Sequence, residues 1–165
     1  MTPTEESLFR GAARTAAATG VPVSIRFGAD AVHDLDIVLD EQLPADRVMV
    51  GGMDRRDAAT AGAVQTVAAR GAYVVLDHVG LNDDAGYLTD KERAELVLDL
   101  VNAGHVDRIL LSAGAVGVAK GQPDYDLPFS HVLSTFMPLL ASMGLSDEDA
   151  QRILVDNPRN LLTVR

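Results

Sequence analysis

Residues 109–117, ILLSAGAVG, decide the fold. Ile109, Leu110 and Leu111 form an unbroken apolar run that opens directly into Ser112, Ala113, Gly114 and Ala115. Continuous apolar strands belong to parallel sheets covered on both faces, whereas a strand with one wet face alternates apolar and polar residues. In parallel α/β proteins the chemistry sits at the carboxyl ends of the strands. This strand ends without an acid, a base or a metal ligand, which leaves three readings: a site, a site stripped of its chemistry, or only a turn.

Working outward, the same alternation of short apolar runs and helical segments fills the chain. Thr2, Pro3 and Glu5 form a helix start, with Thr2 as N-cap, proline in the first turn and Glu5 closing a capping box; Gly20 stops the helix. Val21 to Ile25 reads as a strand, and about Ala31 to Leu43 as a helix ended by Pro44. Arg47 to Val50 is a second strand and Asp57 to Arg70 a small-residue helix closed by Gly71. Tyr73 to Leu76 is a third strand. Thr89 and Glu92 make a second capping box for a helix in which Leu96, Leu100 and Val101 recur at helical spacing. Arg108 to Ser112 is the fourth strand. A helix over about Pro128 to Met143, a short helix capped by Ser146 and a last turn at Asn157-Pro158 follow. Four strand-helix units indicate an α/β fold, and no linker or low-complexity stretch divides them, so residues 1–165 are expected to form one domain.

Composition narrows the function. The chain has 165 residues, 24 acidic against 14 basic, for a net charge of −10. An acidic surface repels nucleic-acid backbones and anionic membranes, so neither is expected as a partner. There is no cysteine, which removes disulfides, thiolate metal sites and thiol nucleophiles. No stretch approaches the ~20 apolar residues of a membrane span, and residues 1–9 carry no leader pattern. A cytoplasmic location is the expectation.

The order of the segments TPTEESLFRGAARTAAATGVPV, DRVMVGGMD, YVVLDHVG, ERAELVLDLVNAGHVDRILLS and FMPLLASMGLSDEDAQRILVDNPRNLL resembles the phosphotriesterase family of the amidohydrolase superfamily, over essentially the whole chain. The resemblance is to the carboxyl-terminal half of that family only. It implies a partial, half TIM-type (β/α) barrel: a helix, then four parallel strands corresponding to strands five to eight. The family's activity is metal-dependent hydrolysis of phosphotriesters, lactones and related esters, on a binuclear divalent centre, typically zinc.

Carried over residue by residue, the resemblance empties the metal site. The family's fifth-strand histidine falls on Arg26, its sixth-strand histidine on Gly52 and its eighth-strand aspartate on Gly114. Glycine offers no donor atom and a guanidinium no lone pair. No metal ligand and no cofactor are therefore expected in this chain, and ILLSAGAVG reads as a stripped site. An aspartate at position 114 would have served as ligand and base together. Asp77 and His78, in LDHVG, match the family's seventh-strand end, where a histidine can shuttle protons; they are the catalytic candidates, against the alternative that they cap the following loop. Arg26, Asp54 and Gly114 are the substrate-pocket candidates, although Asp54 also suits an N-cap for the following helix. His105 falls at the amino-terminal side of the sheet, where structural roles predominate, and His33 and His131 fall near helix starts. No H-x-H or H-E-x-x-H spacing, G-x-G-x-x-G, P-loop or G-x-S-x-G elbow is present; Lys120-Gly121 only lies in a glycine-rich loop.

Four strands of a barrel leave two edges and one apolar sheet face uncovered, and such surfaces invite pairing. A homodimer, or a separate chain bearing the complementary half-barrel, is the expected partner. The edges should be Val21 to Ile25 and Arg108 to Ser112. The contact face should be Val23, Ile25, Val48, Val50, Val74 and Leu76, or their alternating neighbours. The alternative is that the final helices fold over the would-be barrel interior.

Overall fold

A computed structural model describes residues 1–26, 29–113 and 128–164. Its centre is one sheet of four parallel strands in sequential order: β1 (Val23–Arg26), β2 (Val48–Gly51), β3 (Tyr73–Val79) and β4 (Ile109–Ala113). The α/β reading holds, and β1 and β4 are the edges. Helix α1 (Pro3–Thr19) precedes β1, and α2 (Ala31–Leu39), α3 (Arg56–Thr60), α4 (Ala63–Ala69) and α5 (Asp90–Asn102) lie in the connections. The chain closes with α6 (Met137–Ser142), preceded by a π-helical turn (Val132–Phe136). The last segment is α7 (Asp147–Gln151), a second π turn (Arg152–Asp156) and α8 (Asn157–Leu162).

Local chemistry explains the helix starts. Thr2 accepts from the Glu5 N–H while Glu5 accepts from the Thr2 N–H, and Thr89 and Glu92 repeat the exchange at α5. Ser146 accepts from the Asp149 N–H. Each side chain satisfies a donor that the first turn leaves orphaned. Gly20 ends α1 in the left-handed conformation at φ 73°, which only glycine adopts without strain.

Several boundaries differ from those the pattern suggests. α2 ends at Leu39 rather than Leu43, because the chain turns through Gln42 at φ 60°. The helix expected over Asp57 to Arg70 is two, broken where Gly62 adopts φ 68°. β3 runs three residues beyond Leu76, so Asp77 and His78 lie inside the strand. A register shift between Leu76 and Val79 opposes an extra β3 residue to β4 there, the signature of a bulge. Residues 147–162 form one run of helical turns rather than a short helix and a separate turn.

The register also settles which face is which. Val23, Ile25, Val48, Val50, Val74 and Leu76 are all buried in the large cluster packed under the helices. They are not a contact face; their alternating neighbours form the opposite one. There Met49 pairs with Tyr73 and Val75 with Leu110, and these join Leu161 of α8 in a second, smaller cluster. Leu161 is buried, but Leu162 and Ser24 are exposed, and a cleft of about 370 Å³ remains between α8 and the strands. The final helix thus covers only part of that face.

Two polar side chains tie the far end of the sheet to the final helix. Asn157, fully buried, donates from Nδ2 to the carbonyls of Val106 and Ile109 at 2.8 and 2.9 Å. Arg47, also buried, donates to the carbonyls of Gly20 and Asn160. Asn157→Ala would strand two buried acceptors, each costing about 1–3 kcal/mol. The expected outcome is a loss of about 2–4 kcal/mol, read as a lower urea midpoint at unchanged slope.

Candidate functional site

The carboxyl ends of β1, β2 and β3 bring Arg26, Asp54, Asp77 and His78 together. Gly51 and Gly52 make the approach possible. A Cβ on Gly51 would stand 3.1 Å from the Asp77 carboxylate, and Gly52, at φ 78°, turns its N–H to donate to Asp77 Oδ1 at 3.0 Å.

Asp54 has no exposed surface and does not cap the next helix. That position belongs to Arg55, whose side chain makes no capping bond. Asp54 instead accepts from His78 Nδ1 at 2.8 Å, from the His78 backbone N–H at 2.9 Å and from Arg93 Nε at 2.8 Å. Burial alone would raise its pKa; the His78 and Arg93 bonds outweigh that and hold it below the usual carboxylate range. Arg93 is equally buried and continues the network, donating to Asp90 at 2.9 Å and to the Leu81 carbonyl. Asp90 also receives the Gly80 N–H and lies 3.1 Å from His131 Nε2.

His78 sits at the junction. Burial pushes its pKa down, but hydrogen bonds to Asp54 and Asp77, the latter 2.9 Å from Nδ1, overcome this and raise it to about 9. The ring is an imidazolium at neutral pH, with Nδ1–H directed into the carboxylates. Its other nitrogen, Nε2, lies 2.9 Å from Arg26 Nη2. That contact can be a hydrogen bond only to a neutral ring, because a protonated Nε2 is itself a donor. The two close carboxylates decide the charge, since the Arg26 side chain is 57% exposed and water screens it. Tyr87 covers the ring with centroids 4.1 Å apart, in a loop held by Arg56 through the Tyr87 carbonyl and Glu92.

Among the described residues, Asp54, Asp77 and His78 are the one group whose donor atoms lie close enough, within 4.8 Å, to be weighed as a cation site. Gly114, Gly117, Lys120 and Gly121 lie outside the described residues. His105 stands at the turn before β4, and His33 lies in the first turn of α2 behind the capping carboxylate of Asp30.

Sequence reasoning missed Arg93, Asp90 and Tyr87. Arg93 left one signal: it stands at helical spacing from Leu96, Val97 and Leu100, a cation on an apolar stripe. Such a residue is buried only with a partner.

The model of the phosphotriesterase family matches residues 1–162. The phosphotriesterase homology protein of Mycobacterium tuberculosis is 27% identical, over 98% of this chain and 51% of its own length. An N-acetyltaurine hydrolase of Dictyostelium discoideum is 25% identical over 99% and 47%. The crystal structure of the Escherichia coli phosphotriesterase homology protein, complexed with phosphate in its active site, superposes at TM-score 0.84 with 28% identity, over 98% of this chain and 55% of that one. The chain spans about half the length of these relatives. Among the described residues no helix is long and apolar enough to cross a membrane.

Two outcomes are expected of the network. Arg93→Met leaves Asp54 buried and short of its guanidinium, a loss of about 3–5 kcal/mol. Because the pKa of His78 is raised in the folded state, its contribution is fully present below about 6.5 and is lost as pH rises through about 9. The size is on the order of 3 kcal/mol. Urea midpoints should therefore fall between neutral and alkaline pH, and His78→Gln should flatten that decline.

Proposed function

The chain belongs to the phosphotriesterase family, and on that premise we propose that it forms the strand-five-to-eight wall of a hydrolase barrel in which an internal ion-pair network stands where family members bind divalent metal. The supporting observation is that both Asp54 oxygens, Asp77 Oδ1 and His78 Nδ1 are already committed, while Asp77 Oδ2 faces the Arg26 guanidinium at 3.8 Å. Asp54 is held by His78 and Arg93, Asp77 by the Gly52 N–H and His78. A divalent cation would have to strip the proton from His78 Nδ1, compete with Arg93 and tolerate the Arg26 guanidinium, while Gly52 offers it nothing. These residues do not fit the group.

The reading follows for activity. Metal-dependent hydrolysis of esters, lactones, phosphotriesters or N-acyl compounds is not expected of this chain acting alone. Any chemistry it retains would run through His78, backed by Asp54 and Asp77. As an imidazolium at neutral pH that side chain is a proton donor rather than a base, so it suits protonation of a leaving group.

The partner reading rests on the two edge strands, each paired on one side only among the described residues, and on the partly covered inner face. Burying about 800 Å² per partner would reach the size of a standard specific interface. Four further strands, from a second copy or from a complementary half-barrel, would supply it.

Three measurements test this. Elemental analysis after chelator-free purification should find well under one zinc, manganese or cobalt ion per chain; one or two tightly held ions would overturn the metal-free reading. Lactone, phosphotriester and N-acyl substrates should give no metal-stimulated turnover, and any turnover seen should disappear in His78→Gln. Sedimentation equilibrium should show self-association at tens of micromolar; a monomer that binds no apolar dye would sink the partner reading.

A further inference from the structure

We propose that Arg26 and His78 together seat an oxyanion at the carboxyl-terminal mouth of the sheet, so that the ligand of this site carries a phosphate, sulfonate or carboxylate head group. The proposal rests on the metal-free reading of the strand ends and goes beyond it in naming what those ends bind.

Arg26 reaches the mouth from the end of β1, more than half exposed, and among the described residues no carboxylate lies within hydrogen-bond distance of it. The nearest, Asp77, is 3.8 Å away, with Oδ1 turned to the Gly52 N–H and to His78. Among the described residues, the one close partner of Arg26 is His78 Nε2. When His78 is protonated, Arg26 Nη2–H and His78 Nε2–H are two donors on two cations, 2.9 Å apart, with no acceptor to share. An oxyanion placed against both would accept from each and relieve their repulsion. Arg is suited to this because its fork meets a carboxylate or phosphate with two parallel bonds.

The surroundings do not cancel the seat. Arg26, His78 and Arg93 balance Asp54, Asp77 and Asp90 in formal charge. Asp54 and Arg93 are fully buried and His78, Asp90 and Asp77 mostly so, which leaves the Arg26 guanidinium, 57% exposed, as the group of this network that reaches furthest into solvent. The acids of the adjoining cleft are occupied or buried: Glu5 caps Thr2, Asp30 caps the first turn of α2, and Asp34 is covered. Tyr87 shields one face of the imidazole, which strengthens a charge-assisted bond by excluding water.

Titrating the full chain with sulfate, whose charge is constant across the range, against chloride at matched ionic strength tests this by calorimetry and by the His78 ring signals in NMR. Saturable one-to-one binding that moves the His78 signals is expected. Arg26→Met should weaken it at least tenfold with the thermal midpoint unchanged, and Arg26→Lys should weaken it less. Affinity should fall as pH rises through about 9, where the ring loses its proton. Acetate in a parallel arm separates a planar head group from a tetrahedral one. Absence of saturable binding by both anions, or Arg26→Met binding as the parent does, would overturn the proposal. Absence of metal with no anion binding rejects the seat alone, whereas tightly held metal rejects the reading beneath it.

Discussion

The contact on which the rest of the structure depends is that of Arg93 with Asp54, a guanidinium and a carboxylate with no exposed surface between them. Each is costly to bury alone, and the pairing is tolerable because each guanidinium nitrogen and each carboxylate oxygen has a partner: Arg93 also in Asp90 and Leu81, Asp54 also in the ring and backbone of His78. Such pairs contribute less to stability than to uniqueness of arrangement, since an apolar replacement of both partners is often no worse. Here the arrangement they specify joins β2, β3 and α5 and fixes the tilt of a single imidazole. The protonation of that imidazole, and hence what can sit beside it, follows from the ion pair.

The sheet has two faces with different debts. The helix-covered face is closed, with valines at 0% exposure in β2 and β3. The other holds a small cluster around Tyr73, Leu110 and Leu161, and the cleft beside α8 exposes Ser24 and leaves Met49 and Val75 half-covered. In the phosphotriesterase-like barrels that share this geometry, the chain accounts for about half of each molecule. On this chain Ser24, Asp77 and Ser112 share the cleft with Met49, Val75, Leu110 and Leu161, so the inner face mixes polar and apolar residues where the helix-covered one is apolar.

Much of the architecture was legible because it is written locally. The capping boxes at Thr2 and Thr89, the glycine stop at Gly20 and the apolar strand runs each depend on neighbours in sequence, and the structure has them where the pattern put them. The family was legible from segment order. What escaped depends on contacts across the fold. Asp54 looked like an N-cap because three residues of context favour one, while its true partner, Arg93, lies 39 positions on. The break at Gly62 and the early end of α2 turn on positive backbone angles that composition does not announce. The two faces of each strand could not be told apart either, because continuous apolar runs carry no alternation. The helices that cover one face had to be placed first.

The bulge in β3 separates the history of the site from that of the sheet. In a regular strand Asp77 and His78 would point to opposite faces; here they fall within the irregular stretch between Leu76 and Val79, and His78 Nδ1 lies 2.9 Å from Asp77 Oδ1. Deleting a single residue between Leu76 and Val79 would restore regular pairing, improve the ladder and dissolve the convergence. A tidier strand would not come free, because the same convergence gives the buried Asp54 two of its bonds and losing it would leave that carboxylate short of partners. The length of that short segment is thus as much a part of the buried network as the side chains it carries.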